Sequence, residues 1–168
     1  MRKFLASLCC LLVLNACNDK KTEQSQQIDS VSLPTIDIPS DIKEKTFSYQ
    51  KNNLPDSCEI ENEIICAIEN AVKCALNPSK SYCHKDSLPD FIFYDDAMFA
   101  EGGVAGRPTE QSFKLTKIKT IDEHTIEAIT HGKCNNNWFG ACEGNIIYVL
   151  SNQSGSWQVK EIYAIEHI

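Results

Sequence analysis

Nine cysteines stand in a chain of 168 residues, and their spacing decides what chemistry they could do. Six of them, Cys58, Cys66, Cys74, Cys83, Cys134 and Cys142, fall in the C-terminal two-thirds, where His84 directly follows Cys83 and His131 precedes Cys134 by three. Mixed His and Cys ligation of a metal would draw on such a set. Zinc sites, however, bring ligands in closely spaced pairs, and the sequence has no C-x-x-C, so no metal is expected. The same missing spacing removes a thioredoxin-like redox role. Cysteines that neither ligate nor catalyse pair with each other in an oxidising compartment, which makes export the first question.

Other catalytic constellations are scarce. There is no nucleophile elbow, phosphate loop or H-E-x-x-H motif. Asp95 and Asp96 with His124 or His131 could form a general acid/base set. Adjacent acids on a strand point to opposite faces, though, and such a pair beside an aromatic run reads as a solvated edge. Gly102 and Gly103 lack the flanking strand and helix of a dinucleotide site. No catalytic residue and no cofactor is expected.

Export is written at the N-terminus. Arg2 and Lys3 precede an apolar run over residues 4–14, about 11 residues, too short to span a hydrocarbon core about 30 Å thick. This pattern is that of a secretory signal peptide. The run ends in Leu14, Asn15, Ala16 and Cys17, which resembles the lipobox of bacterial lipoproteins, with Asn15 where a smaller residue is usual. The resemblance implies cleavage before Cys17 and acylation of that residue. The mature chain is then anchored through its acyl chains and does not span the membrane. Asn18 stands where an Asp would resemble an inner-membrane retention signal, so the expected location is the bacterial cell envelope, outer membrane favoured over inner.

In an exported chain the six remaining cysteines imply disulfides, with fifteen possible pairings. Cys134 with Cys142 is the best supported, closing a loop at the end of paired strands for about 2.6 kcal/mol of chain-entropy stabilisation. Cys74 with Cys83 joins the end of a helix to the segment after Pro78. Cys58 and Cys66 remain by elimination, but eight residues of continuous helix would part their Cα atoms by about 12 Å, against a limit of about 7 Å. Either the helix starts later than Asp56, or Cys66 pairs with Cys83 and Cys74 with another partner.

The elements that must position these residues follow from composition and period. Residues 1–16 are the signal peptide. Residues 17–53 read as the acylated cysteine and a flexible linker rich in Lys, Gln, Ser, Asp, Thr and Pro, reaching about 30 Å. Residues 54–168 form the folded domain. Asp56 with Glu59 makes a capping-box-like start. Ile60, Ile64, Ile65, Ile68, Ala71, Val72 and Ala75 give the following helix one apolar face, and Asn77 with Pro78 ends it. A short helical or turn segment follows over 82–87, then an aromatic stretch over 91–99 and a glycine-containing loop over 101–108.

Strand patterns follow over 111–121, with a phase shift that predicts a bulge near Thr116 and Lys117, then over 124–131, 145–150 and 156–165. Helices followed by an antiparallel meander predict an α+β domain, its N-terminal helices packed on a curved antiparallel sheet of about four strands and stapled by disulfides. This order, closing on Trp157, Val159 and Ile162, resembles the NTF2-like (cystatin-like) fold. The resemblance implies a scaffold that hosts isomerases, ligand binders and secretion-system domains alike.

Two features bear on partners. Losing Arg2 and Lys3 takes the formal charge from −7 to −9, which excludes nucleic acid and suits a basic partner. Asn137, Trp138 and Phe139 place two large aromatics in the loop between Cys134 and Cys142, the profile of a rigid binding anchor. The sequence therefore predicts a membrane-anchored, non-enzymatic binding lipoprotein. Its partner is another envelope protein or an incoming periplasmic one, which an inhibitor or immunity protein would block as a toxin or hydrolase. The alternatives are a small-ligand-binding or enzymatic NTF2-like domain and a structural part of an envelope secretion apparatus.

Overall fold

The computed structural model describes residues 36–94, 106–135 and 143–165. Signal peptide, lipobox and Cys17 lie outside the described residues, as do Asp95, Asp96, Gly102, Gly103, Asn137, Trp138, Phe139 and Cys142. The elements run α1 (Ser40–Glu44), β1 (Thr46–Gln50), α2 (Glu63–Leu76), two short 3₁₀ turns (Lys85–Ser87 and Asp90–Phe93), β2 (Glu110–Thr120), β3 (Thr125–Cys134), β4 (Glu143–Ser151) and β5 (Gln158–Ile165). The fold is α+β, with five strands in one antiparallel sheet of order β1-β2-β3-β4-β5.

The fifth strand corrects the expected count of about four, and it comes from the supposed linker. Thr46 to Gln50 pair with Lys114 to Glu110. Phe47 and Tyr49 are buried, while Thr46, Ser48 and Gln50 are exposed, a strict period of two. Ile38 and Ile42 are buried as well. A five-residue alternation inside a polar segment gains its stability from a partner at least 60 residues away in sequence, and no local window registers that partner. The fold thus takes up residues 36–53, which the sequence assigned to the linker.

The helix start is the second correction. Asn62, not Asp56, caps α2: its Oδ1 accepts from the backbone N–H of Ile64 and of Ile65, each at 3.1 Å. The expected capping residues are occupied elsewhere. Asp56 pairs with Lys80 at 3.4 Å and Glu59 with Lys45 at 2.9 Å. At the other end the Asn77 N–H returns to Lys73 O. Buried Arg107 donates from Nη1 to Ala75 O at 3.2 Å and from Nη2 to Tyr94 O, so the guanidinium satisfies a carbonyl in the last helical turn.

Ile65, Ile68, Val72 and Ala75 of α2 share one core with Phe47, Phe113, Leu115, Ile126, Ala128, Tyr148, Leu150 and Val159 of the strands. Phe47 stacks on its register partner Phe113 with centroids 4.8 Å apart. The register shift in β2 falls between Leu115 and Lys117, where Thr116 Oγ1 donates to Ile129 O at 2.8 Å. The extra residue keeps Leu115 and Ile118 on the core side while Lys114, Lys117 and Lys119 face out. Gly132 makes room for its neighbour: a Cβ there would lie 2.8 Å from Ile146 Cδ1.

Candidate functional site

α2 is buried on more than its apolar stripe. Glu69 and Lys73, one turn apart, are both wholly inaccessible. Ionised side chains in such a place need partners, and they find them in the segment ahead of the helix. Glu69 Oε2 accepts from Glu59 N at 2.9 Å, and Lys73 Nζ donates to Ser57 O at 3.2 Å. The Lys73 ammonium also lies 4.7 Å from the centroid of the Tyr82 ring, a cation–π distance. Burial lowers the Lys73 pKa, while Glu69, Glu59 and Asp56 oppose that shift.

Tyr49 of β1 completes the cluster. Its hydroxyl and Glu69 Oε1 are buried without a hydrogen-bond partner among the described residues. Burial first, and the Glu69 charge second, raise the Tyr49 pKa. The segment over residues 54–62 roofs this cluster. It is held at Leu54 O and Asp56 by Lys80, at Glu59 by Lys45, and at Cys58 by a disulfide to Cys66.

The disulfides follow from these boundaries. Cys58 and Cys66 have Cα atoms 5.3 Å apart, a bonding distance available because the helix starts at Glu63 and Cys58 lies in the irregular roof. Cys74, wholly buried, is bonded to half-buried Cys83 across a Cα separation of 5.7 Å. Cys134 is disulfide-bonded too. The β3–β4 register runs to Lys133↔Glu143, one residue short of Cys134 and of Cys142 in sequence; Cys142, its expected partner, lies outside the described residues.

The start of the aromatic loop is held closely. Asn135 Oδ1 accepts from the N–H groups of Thr109 at 2.9 Å and Glu110 at 3.3 Å, its Nδ2 donates to Thr109 Oγ1 at 2.5 Å, and its own N–H donates to Glu110 O. Beside it lies an open polar recess of about 420 Å³, with Ser48, Gln50, Glu110, Ser112 and Lys133 among its lining.

The histidines weighed for acid/base work do not converge. His124 sits on the β2–β3 turn, with Nδ1 2.9 Å from Asn152 Oδ1. His131 lies seven residues along β3, about 23 Å away at strand rise, facing Glu143 at 3.8 Å. Lys133 holds the same Glu143 carboxylate at 2.7 Å and depresses its pKa. His84 is exposed. Among the described residues no helix is long and apolar enough to cross a membrane.

Sequence reasoning passed over Glu69, Lys73, Tyr49 and Tyr82. A Glu and Lys four apart on a helix normally mark a solvated face. The available signal was the cysteines: Cys66 and Cys74 tie that same helix to the segments before and after it, which cover its polar side. No family model matches the chain, and no curated protein or solved structure matches it either.

Proposed function

We propose that this protein is a lipid-anchored domain of the bacterial cell envelope that binds another envelope protein, or one arriving in the periplasm, through the loop between Cys134 and Cys142. The observation that carries the reading is the fixation of the loop's first residues. Cys134 is in a disulfide and Asn135 makes four hydrogen bonds to Thr109 and Glu110. Fixing a loop at its start reduces the ordering entropy that binding must offset, which supports a binding role for the aromatic pair Trp138 and Phe139 that the sequence places between Cys134 and Cys142. The two disulfides of the described residues support the oxidising compartment that the signal peptide and the lipobox-like Cys17 imply. In its sharper form the protein is an inhibitor or immunity protein for a basic toxin or hydrolase, a reading supported by the acidic mature chain. The lipoprotein assignment rests on Leu14 to Cys17, and the NTF2-like resemblance on element order.

The test is Trp138→Ala in the mature protein. Partner capture from envelope extracts should weaken by at least about tenfold in affinity, with the melting temperature nearly unchanged. Loss of about 3 kcal/mol or more of stability would place Trp138 in the core and defeat the reading.

The polar recess beside Asn135 favours a second reading, a domain that takes a small polar ligand there. Lys133→Ala would then abolish ligand binding and leave protein capture intact.

A further inference from the structure

The Cys58–Cys66 disulfide differs from Cys74–Cys83 in access, in electrostatics and in what it holds. Both of its cysteines are half-buried, whereas in the other disulfide only Cys83 is half-buried and Cys74 is wholly buried. An open surface cleft of about 580 Å³ reaches the pair, with Ser57, Ile60, Glu61 and Asn62 around it. Cys66 lies in the first turn of α2, four residues after the Asn62 cap, where the helix field favours a thiolate. Asn70, one turn further on, is oriented to add to this: its Nδ2 donates to Cys66 Sγ at 3.7 Å, and its Oδ1 lies 3.8 Å from Cys58 Sγ. A donor thus faces one sulfur and an acceptor the other. In thiol–disulfide exchange the sulfur whose departing negative charge is better stabilised is the leaving group. That sulfur is Cys66, which makes Cys58 the atom attacked.

We propose that Cys58–Cys66 is a thiol–disulfide exchange site for a neutral or basic dithiol, and that its cleavage unlatches residues 54–62 from α2. An incoming thiolate attacks Cys58 Sγ, the Cys58–Cys66 bond breaks, and its electron pair leaves on Cys66. The second thiolate of the dithiol then attacks the mixed disulfide and releases Cys58. Two electrons and two protons pass to the cysteines, and the reductant closes into its own disulfide. Cys58, once a thiol, has Asn70 Oδ1 and Cys66 O as acceptors, each at 3.8 Å. The exposed carboxylates of Glu61 and Glu63 border the site and disfavour an anionic thiol such as glutathione.

Unlatching has a defined consequence, because the same roof carries the partners of the buried charges. With the covalent tie gone, the segment is left with the hydrogen bonds of Ser57 O and Glu59 N to Lys73 and Glu69 and with the solvent-accessible contacts of Lys80 and Lys45. Of the segment, Leu54 belongs to the core and Ile60 packs against it; the rest of the core between α2 and the sheet and the Cys74–Cys83 bond are untouched. The reduced protein therefore keeps its fold and opens one segment, exposing Glu69 and Lys73. This inference is independent of the loop-binding reading.

The experiment is graded reduction of the mature, fully oxidised protein with dithiothreitol, followed by alkylation and peptide mapping. Cys58 and Cys66 should be alkylated at dithiothreitol concentrations that leave Cys74 and Cys83 linked. A brief pulse of 2-mercaptoethanol quenched in acid should leave the adduct on Cys58. Hydrogen exchange of the partly reduced protein should accelerate across residues 54–62 while α2 and the strands stay protected. Asn70→Ala should slow reduction of Cys58–Cys66 by about threefold and leave Cys74–Cys83 unchanged; a general loosening of the fold would speed both. Parallel reduction of the two disulfides, an adduct on Cys66, or unchanged exchange over 54–62 would each overturn the proposal.

Discussion

Glu69 and Lys73 show how much a single residue's setting matters. Their charges are buried together, and each is tied to a backbone group of the roof. Removing Glu69 leaves the Lys73 ammonium buried without the carboxylate that stabilises its charge most, and such a loss costs more than the two charges together contribute. Glu69→Ala should therefore destabilise the protein by about 3 kcal/mol, at the low end for a broken buried pair, because Lys73 keeps Ser57 O and the Tyr82 ring. The double variant Glu69→Met with Lys73→Met should lose clearly less than Glu69→Ala alone. Urea denaturation of the three proteins decides this, and a double variant at least as unstable as the single one would show that the pair is not the cause. At this scale the sequence was legible where chemistry announces itself. The spacing of Cys74 and Cys83 brought a bond within reach, whereas the burial of Glu69 depends on which segment covers it.

At the scale of elements, α2 tests whether caps or periodicity set a helix boundary. The apolar period runs back to Ile60, yet the helix starts after Asn62, whose side chain takes two of the orphan N–H groups. Asn62→Ala should cost about 1 kcal/mol in a urea titration with an unchanged m-value. Asp56→Ala should stay within about 0.5 kcal/mol, because its ion pair with Lys80 is exposed and its effect on Lys73 is smaller than those of Glu69 and Glu59. The reverse ranking would move the helix start back to where the capping box suggested.

Legibility among the strands divides in the same way. The bulge in β2 was readable because the phase of Phe113 and Leu115 breaks before Ile118, and a phase break has few other causes in a strand. β1 was not, since a strand of five residues inside a polar stretch is stabilised by a distant partner. It is also shorter than that partner. β2 continues six residues past Lys114 with no strand paired on that side among the described residues. There Lys117 and Lys119 face solvent, charges that discourage edge-to-edge pairing with another chain.

For the whole molecule, the position of the first core residues changes what the proposed anchor does. With Ile36 packed against the core and Ile38 within it, the fold takes up the end of the expected linker, so the tether from Cys17 would be shorter than the sequence suggested and its reach below about 30 Å. The domain would then work close to the membrane, and its net negative charge would hold it off anionic headgroups rather than against them. On the lipoprotein reading, attachment would therefore depend on the acyl chains alone. One acyl chain holds a protein only marginally, while several hold it stably at about 0.8 kcal/mol per buried CH₂, so removing the acceptor residue should abolish attachment instead of weakening it. Cys17→Ser is expected to yield a species in the soluble envelope fraction or an unprocessed precursor, with the disulfides at Cys58 and Cys74 intact by non-reducing mass mapping. A processed Cys17→Ser protein that still required detergent for release would refute the lipoprotein reading, and the acidic domain would need a second membrane contact to explain it.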